Sequence, residues 1–219
     1  RIGLGRAGIS LPTSELLAFQ LSHAQARDAV HLPLDIDALC SELAADPQLA
    51  ALGEPIRLHS QATDRMTYLQ RPDLGRLLDD ASREQLVALC CEQPSDLAIV
   101  IVDGLSSRAI AQNAVPFLQR FMGLLASELP ECSLAPLTIV EQGRVAVGDD
   151  VGALLNARAV LLLIGERPGL SSPDSLGLYL TWAPKPGLTD AARNCISNVR
   201  PAGLQIEEAA RRFFLLLKE

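Results

Sequence analysis

The residues best placed to do chemistry lie in one short stretch, Leu161-Leu-Leu-Ile-Gly-Glu-Arg-Pro-Gly-Leu-Ser-Ser-Pro-Asp174. An apolar run stops at Gly165, and Glu166, Arg167, Ser171 and Ser172 follow it. Pro168 removes a backbone donor, and Gly165 and Gly169 permit angles that other residues resist, so the strand cannot continue. A strand buried on both faces therefore delivers a carboxylate, a guanidinium and two hydroxyls at its carboxyl end, where open α/β sheets bind ligands. A second polar cluster, Asp103-Gly104-Leu105-Ser106-Ser107, follows the apolar residues 97–102 in the same way. Two such ends side by side would form a crevice, and a helix starting there would add backbone donors. The blander alternatives are a solvated Glu166–Arg167 pair and serine hydroxyls that only cap the following helix.

Other chemistries find less support. No GxSxG elbow and no Walker A motif is present. Gly3-Leu-Gly5-Arg-Ala-Gly8 matches GxGxxG in letters, but no strand precedes it. His23, His31 and His59 are not paired at i, i+4, so a metal site is not expected. The five cysteines are odd in number and form no CxxC pair, which argues against a disulfide framework or structural zinc. Most of them sit in apolar surroundings as small core residues. Cys195 has Arg193 two residues away, which would lower its pKa, yet no evident base lies nearby. The alternative is a buried or backbone-contacting cysteine. Hydrogen-bonding groups without a self-contained catalytic set suit a chain that holds a cofactor or completes a partner's active site.

The elements that must position these groups can be traced along the chain. Its 219 residues allow one large or two small domains, and 48% hydrophobic residues allow a substantial core. A net charge of −7 and a pI near 5.0 argue against non-specific nucleic-acid binding. No apolar run approaches the ~20 residues needed to span a bilayer. No secretory signal is evident either, so a cytoplasmic protein in a reducing environment is expected. Residues 1–12 read as an arm. Thr13 opens a helix to about residue 28, and a second covers residues 35–46. Residues 54–59 form a short strand, and a capping box of Ser82 and Gln85 starts a helix to about residue 92. Residues 60–76 are polar and read as a solvated surface or as an arm that orders against another chain. Strands follow at 97–102, 134–140, 159–164 and 178–182. Helices follow Ser107 to about residue 128, at 149–157 and at 207–218. This alternation is the mark of an α/β fold: a mostly parallel Rossmann-like sheet flanked by helices, with a smaller, mainly helical N-terminal region. The expected boundary is at Gln93, giving residues 1–93 and 94–219.

Seven stretches together resemble one family. They are residues 1–8, Tyr68-Leu-Gln-Arg-Pro-Asp-Leu-Gly75, Asp103-Gly-Leu-Ser106, Gly143-Arg-Val-Ala-Val147, Ile164-Gly-Glu-Arg-Pro-Gly-Leu170, Ser172-Pro-Asp-Ser-Leu176 and Asn194-Cys-Ile-Ser-Asn198. In this order they resemble the small (light) subunit of ethanolamine ammonia-lyase, across nearly the whole chain. The resemblance implies an adenosylcobalamin-dependent lyase that converts ethanolamine to acetaldehyde and ammonia. It also implies a hetero-oligomer, in which a large subunit carries the substrate site and the small subunit covers the cofactor between them. The family's cobalamin contacts fall on Val145, Glu166 and Cys195. The spacing from Glu166 to Cys195 is about one residue shorter than in some relatives, which affects the placement of residues 179–190.

The isolated chain is therefore expected to be inactive, and the enzyme to work in the cytoplasm or within a bacterial microcompartment. The competing expectations are a structural assembly subunit without cofactor contacts and a stand-alone hydrolase using Asp103, Ser106 and Glu166. None of the three histidines sits in an Asp-x-His-x-x-Gly loop. This chain is thus expected to give cobalt no ligand, leaving the cofactor its own base.

Overall fold

The computed structural model describes residues 10–89 and 93–219. The arm at residues 1–8, Cys90, Cys91 and the end of the helix expected to reach residue 92 lie outside the described residues. In chain order the elements are α1 (Thr13–His31), α2 (Ile36–Ala45), α3 (Pro47–Ala50), β1 (Ile56–His59), α4 (Arg65–Gln70), α5 (Asp80–Ala88), β2 (Ser95–Val102), α6 (Ser107–Glu128), β3 (Thr138–Glu141), α7 (Val147–Leu154), β4 (Ala157–Gly165), β5 (Leu176–Trp182), β6 (Arg193–Val199) and α8 (Ile206–Lys218). No described helix is long and apolar enough to cross a membrane.

The strands form one sheet in the order β1-β3-β2-β4-β5-β6. The first four are parallel, β5 runs antiparallel to them, and β6 pairs antiparallel with β5 and so returns to their direction. The α/β expectation holds in this form: a mixed, mostly parallel sheet. The ten residues between β4 and β5 are too few for a crossover helix, so the chain turns straight back. With the reversed β5 inside one edge, no Rossmann assignment follows. β1 lies on the N-terminal side of Gln93 and is hydrogen-bonded into the sheet beside β3.

The central strands are apolar throughout because both faces are covered. Ile99, Ile101, Leu161 and Leu163 face α2, α6 and α8, while Val100, Val102, Val160 and Leu162 face α5 and α7. Phe213 of α8 meets Phe117 and Phe121 of α6 edge-on, a favoured aromatic geometry.

Helix starts differ from the sequence expectation where two caps compete. Asp79, not Ser82, caps α5 by accepting from the Ser82 amide. The Ser82 hydroxyl instead accepts from the His59 amide and ties α5 to β1. α1 begins after Pro12 without a side-chain cap. Ser106 caps α6 as expected.

At their carboxyl ends β2 and β4 press together. The Leu105 amide donates to the Gly165 carbonyl at 2.8 Å. A Cβ on Gly165 would collide with the Ser106 and Asp103 carbonyl oxygens, and one on Gly104 (φ 61°) with the Gly165 oxygen. Only glycine fits both places.

Candidate functional site

Beside this contact a cavity of about 860 Å³ opens at the carboxyl ends of β3 and β4. Leu105, Val145, Ala146 and Ile164 give it an apolar wall, and Arg144, Glu166, Tyr179 and Ser197 bring polar groups. The crevice expected from the two strand ends is present, with different occupants. Ser106 and Ser107 are buried and committed to the fold, donating to Pro173 O and Leu32 O.

Glu166 follows the last residue of β4. Its amide donates to Ser175 O at 2.9 Å, which fixes the backbone. Its Oε2 accepts from the Ser175 hydroxyl at 2.5 Å and from the Asn198 amide at 3.1 Å. No donor among the described residues reaches Oε1. The Glu166–Arg167 pair is not formed: Arg167 has no carboxylate partner among the described residues.

Val145 stands in the turn between β3 and α7. Gln142 opens that turn at φ 53°, a left-handed conformation that is sparsely populated for a residue with a side chain. The turn is held from both sides. The Arg144 amide donates to Gly75 O, and the Tyr68 hydroxyl donates to Gly143 O at 3.0 Å.

Cys195 lies on β6, opposite Tyr179 of β5. Its thiol is free, and the residue is exposed. The expectation of a lowered pKa is overturned. Partial burial pushes the thiol up, against a hydrogen bond from Tyr179 that lowers it. Arg193 does not help, because its guanidinium forks onto Asp149 at 2.6 and 2.8 Å on the buried side of the sheet. Arg193 and Cys195 lie two apart in regular register with β5 and so share a face, where Arg193 is buried beneath α7 and Cys195 is exposed. Cys40 and Cys132 pack half-buried against the core, as expected.

Residues 60–76 differ most from the sequence expectation. They order against their own chain: Tyr68 is fully buried, and Ser60 and Ala62 are buried beside it. The Arg65 and Arg144 guanidinium groups lie 4.8 and 4.2 Å from the Tyr68 ring. Arg65 reaches Val30 O, Gly104 O and Asp103, so it ties α1, β2 and α4 together.

Asp103 is buried, and burial raises its pKa to about 6, against the nearby Arg65 charge and three backbone amides. Its Oδ1 accepts from the Gly104 and Gly143 amides. It is a clamp between β2 and β3. With Asp103 clamped and the Ser106 hydroxyl donating to a backbone carbonyl, no nucleophile–base pair forms for the stand-alone hydrolase.

Five of the quoted stretches contribute to this cavity's lining: Tyr68 to Gly75, Asp103 to Ser106, Gly143 to Val147, Ile164 to Leu170 and Asn194 to Asn198. The family profile described as Ethanolamine ammonia-lyase light chain matches residues 1–219. This chain belongs to the ethanolamine ammonia-lyase light chain family. It is 56% identical over 221 aligned residues to the ethanolamine ammonia-lyase small subunit of Pseudomonas putida, covering 100% of this chain and 79% of that one. The small subunits of Pseudomonas fluorescens and Xanthomonas campestris pv. campestris are 54% and 56% identical, with 78% and 79% of their lengths covered. Those relatives are subunits of a lyase, and their name implies a larger partner.

Within this light chain, Val145 and Glu166 line the cavity. Cys195 lies beside it, paired across the strands with Tyr179, which does line it. Tyr68, Arg144, Tyr179, Ser175 and Asn198 were not singled out for a role in the sequence. Each lies in or beside a stretch that carries the resemblance, and that was the available signal.

Proposed function

We propose that this chain is the small subunit of an adenosylcobalamin-dependent ethanolamine ammonia-lyase, which converts ethanolamine to acetaldehyde and ammonia. It covers the cofactor where it meets the large subunit in a hetero-oligomer. What supports this is convergence: five stretches typical of the family, far apart in sequence, meet on a single cavity. A cytoplasmic enzyme, free or within a microcompartment, is consistent with that role.

The donor set fits the cofactor. A corrin ring presents a broad apolar face edged by amide arms, and sites for such molecules are mostly apolar with a few polar anchors. Leu105, Val145, Ala146 and Ile164 supply the apolar surface. Glu166 would accept an amide N–H on its free Oε1. Its other oxygen is already held by Ser175 and Asn198, so little freedom is lost on binding. Cys195 would make a contact as a neutral thiol, since burial holds its pKa up.

When bound, the cofactor supplies the radical chemistry that no side chain here supplies. The residues of this chain bind it, orient it and exclude water from it. Ethanolamine itself falls to the large subunit, because this cavity lacks a paired base and nucleophile.

The test is reconstitution. The purified chain alone is expected to show no ethanolamine deamination. Activity is expected once the large subunit and adenosylcobalamin are added together. Turnover by the chain alone at the rate of the assembled enzyme would contradict the proposal.

A further inference from the structure

The cavity carries charge that its own chain does not neutralise. Among the described residues, Arg27, Arg76, Arg108, Arg144 and Arg167 have no carboxylate within ion-pair distance. Three of these, Arg76, Arg144 and Arg167, line this one cavity. The three arginines outnumber the carboxylates around it that have no cation of their own, Glu166 and Asp190. Asp73 pairs with Arg71 at 2.6 Å, and Asp190, 3.6 Å from Arg193 Nε, shares that arginine with Asp149. Glu166 accepts two hydrogen bonds from neutral donors. A chain of net charge −7 therefore concentrates unpaired positive charge at one place.

Arg144 is the member built into the wall. Its guanidinium lies 4.2 Å from the centre of the buried Tyr68 ring, and its Nη2 donates to Tyr68 O at 3.2 Å. Its Nε is buried with no hydrogen-bond partner among the described residues. The side chain is thus fixed in place with donors to spare. A fixed, planar guanidinium suits a phosphate oxygen better than a neutral acceptor.

We propose that Arg144, with Arg76 and Arg167 at the rim, binds a phosphodiester anion of the ligand that occupies this cavity. The inference rests on the cobalamin reading, because adenosylcobalamin carries one phosphodiester, in the loop that joins its lower base to the corrin. Glu166 then accepts from amide donors and the arginines hold the anion, and together they fix the ligand's orientation.

The test compares adenosylcobalamin with adenosylcobinamide, which has the same corrin and lacks the phosphodiester. Dissociation constants are measured on the complex of this chain with the large subunit. Arg144→Gln is expected to weaken adenosylcobalamin binding by roughly tenfold to a hundredfold. It should leave adenosylcobinamide unchanged, and Arg144→Lys should restore part of the loss. A wild-type complex that binds both corrinoids, with Arg144→Gln weakening both equally or neither, overturns the inference and leaves the cobalamin reading standing. A wild-type complex that binds neither overturns both. Should Arg144→Gln fail to fold without its Tyr68 contact, Arg76→Gln carries the same comparison. Arg76 is exposed and has no side-chain hydrogen bond among the described residues, and a smaller loss confined to adenosylcobalamin is expected.

Discussion

On the side of the cavity built by β4, β5 and β6, most polar groups are paired within the chain, Arg167 excepted. Glu166 accepts from Ser175 and Asn198, and Arg193 forks onto Asp149. On the side built by α4 and the turn after β3, the backbone is just as firmly held, yet Arg76 and Arg144 keep unused donors. The difference separates two tasks. Groups that only shape the site are satisfied before a ligand arrives, while groups that would bind a ligand, Glu166 through its Oε1 among them, keep spare hydrogen-bonding capacity and depend on a scaffold to stay in place.

The largest expected effect tests whether the first side is a frame. Arg193 and Asp149 are 1% and 2% exposed as side chains. Removing one partner leaves a buried charge unpaired, so Arg193→Ala is expected to lower unfolding stability by roughly 3–5 kcal/mol, read from the denaturant midpoint. Arg76→Ala on the other side removes no contact and should change stability by less than about 0.5 kcal/mol. Equal losses would erase the distinction between the two sides.

A smaller effect is expected at the clamp between β2 and β3. Asp103 has a folded pKa near 6, above its ordinary value of 3.8. The folded state therefore holds this proton over a range where the unfolded chain has released it. The protonated carboxyl's contribution is fully present below about pH 4 and is lost as pH rises to about 6, for a total on the order of 3 kcal/mol. Asp103→Asn cannot titrate, and stability measured from pH 4 to 6 should fall less steeply in that variant. An unchanged slope would mean that Asp103 is not the buried acid that joins the two strands.

What was legible in the sequence followed from local pattern. The unbroken apolar runs of β2 and β4 announced strands buried on both faces, and Ala209, Ala210, Phe213 and Phe214 marked the inner side of α8. Glu166 could be placed because a strand must end where glycine and proline follow it. β6 could not, because Arg193-Asn-Cys-Ile-Ser-Asn is polar and its burial is irregular at a bulged edge. The role of Tyr68 was hidden for another reason. Its hydroxyl partner, Gly143, lies 75 residues away, and nothing in the polar run around Tyr68 records that contact. The unpaired state of Arg144 is likewise a property of the assembled wall, not of any short stretch.

The central claim is that this chain itself touches the cofactor, and Glu166 tests it most directly. In Glu166→Gln the amide oxygen can still accept from Ser175 and Asn198, so the frame stays closed. The free acceptor Oε1 is replaced by a donor. Adenosylcobalamin titrated into the complex with the large subunit should bind more weakly by roughly 1.5–3 kcal/mol, about tenfold to a hundredfold in dissociation constant, with the unfolding midpoint unchanged. The same dissociation constant in variant and wild type would contradict the claim and leave this chain as a structural subunit beside a cofactor that its partner holds alone.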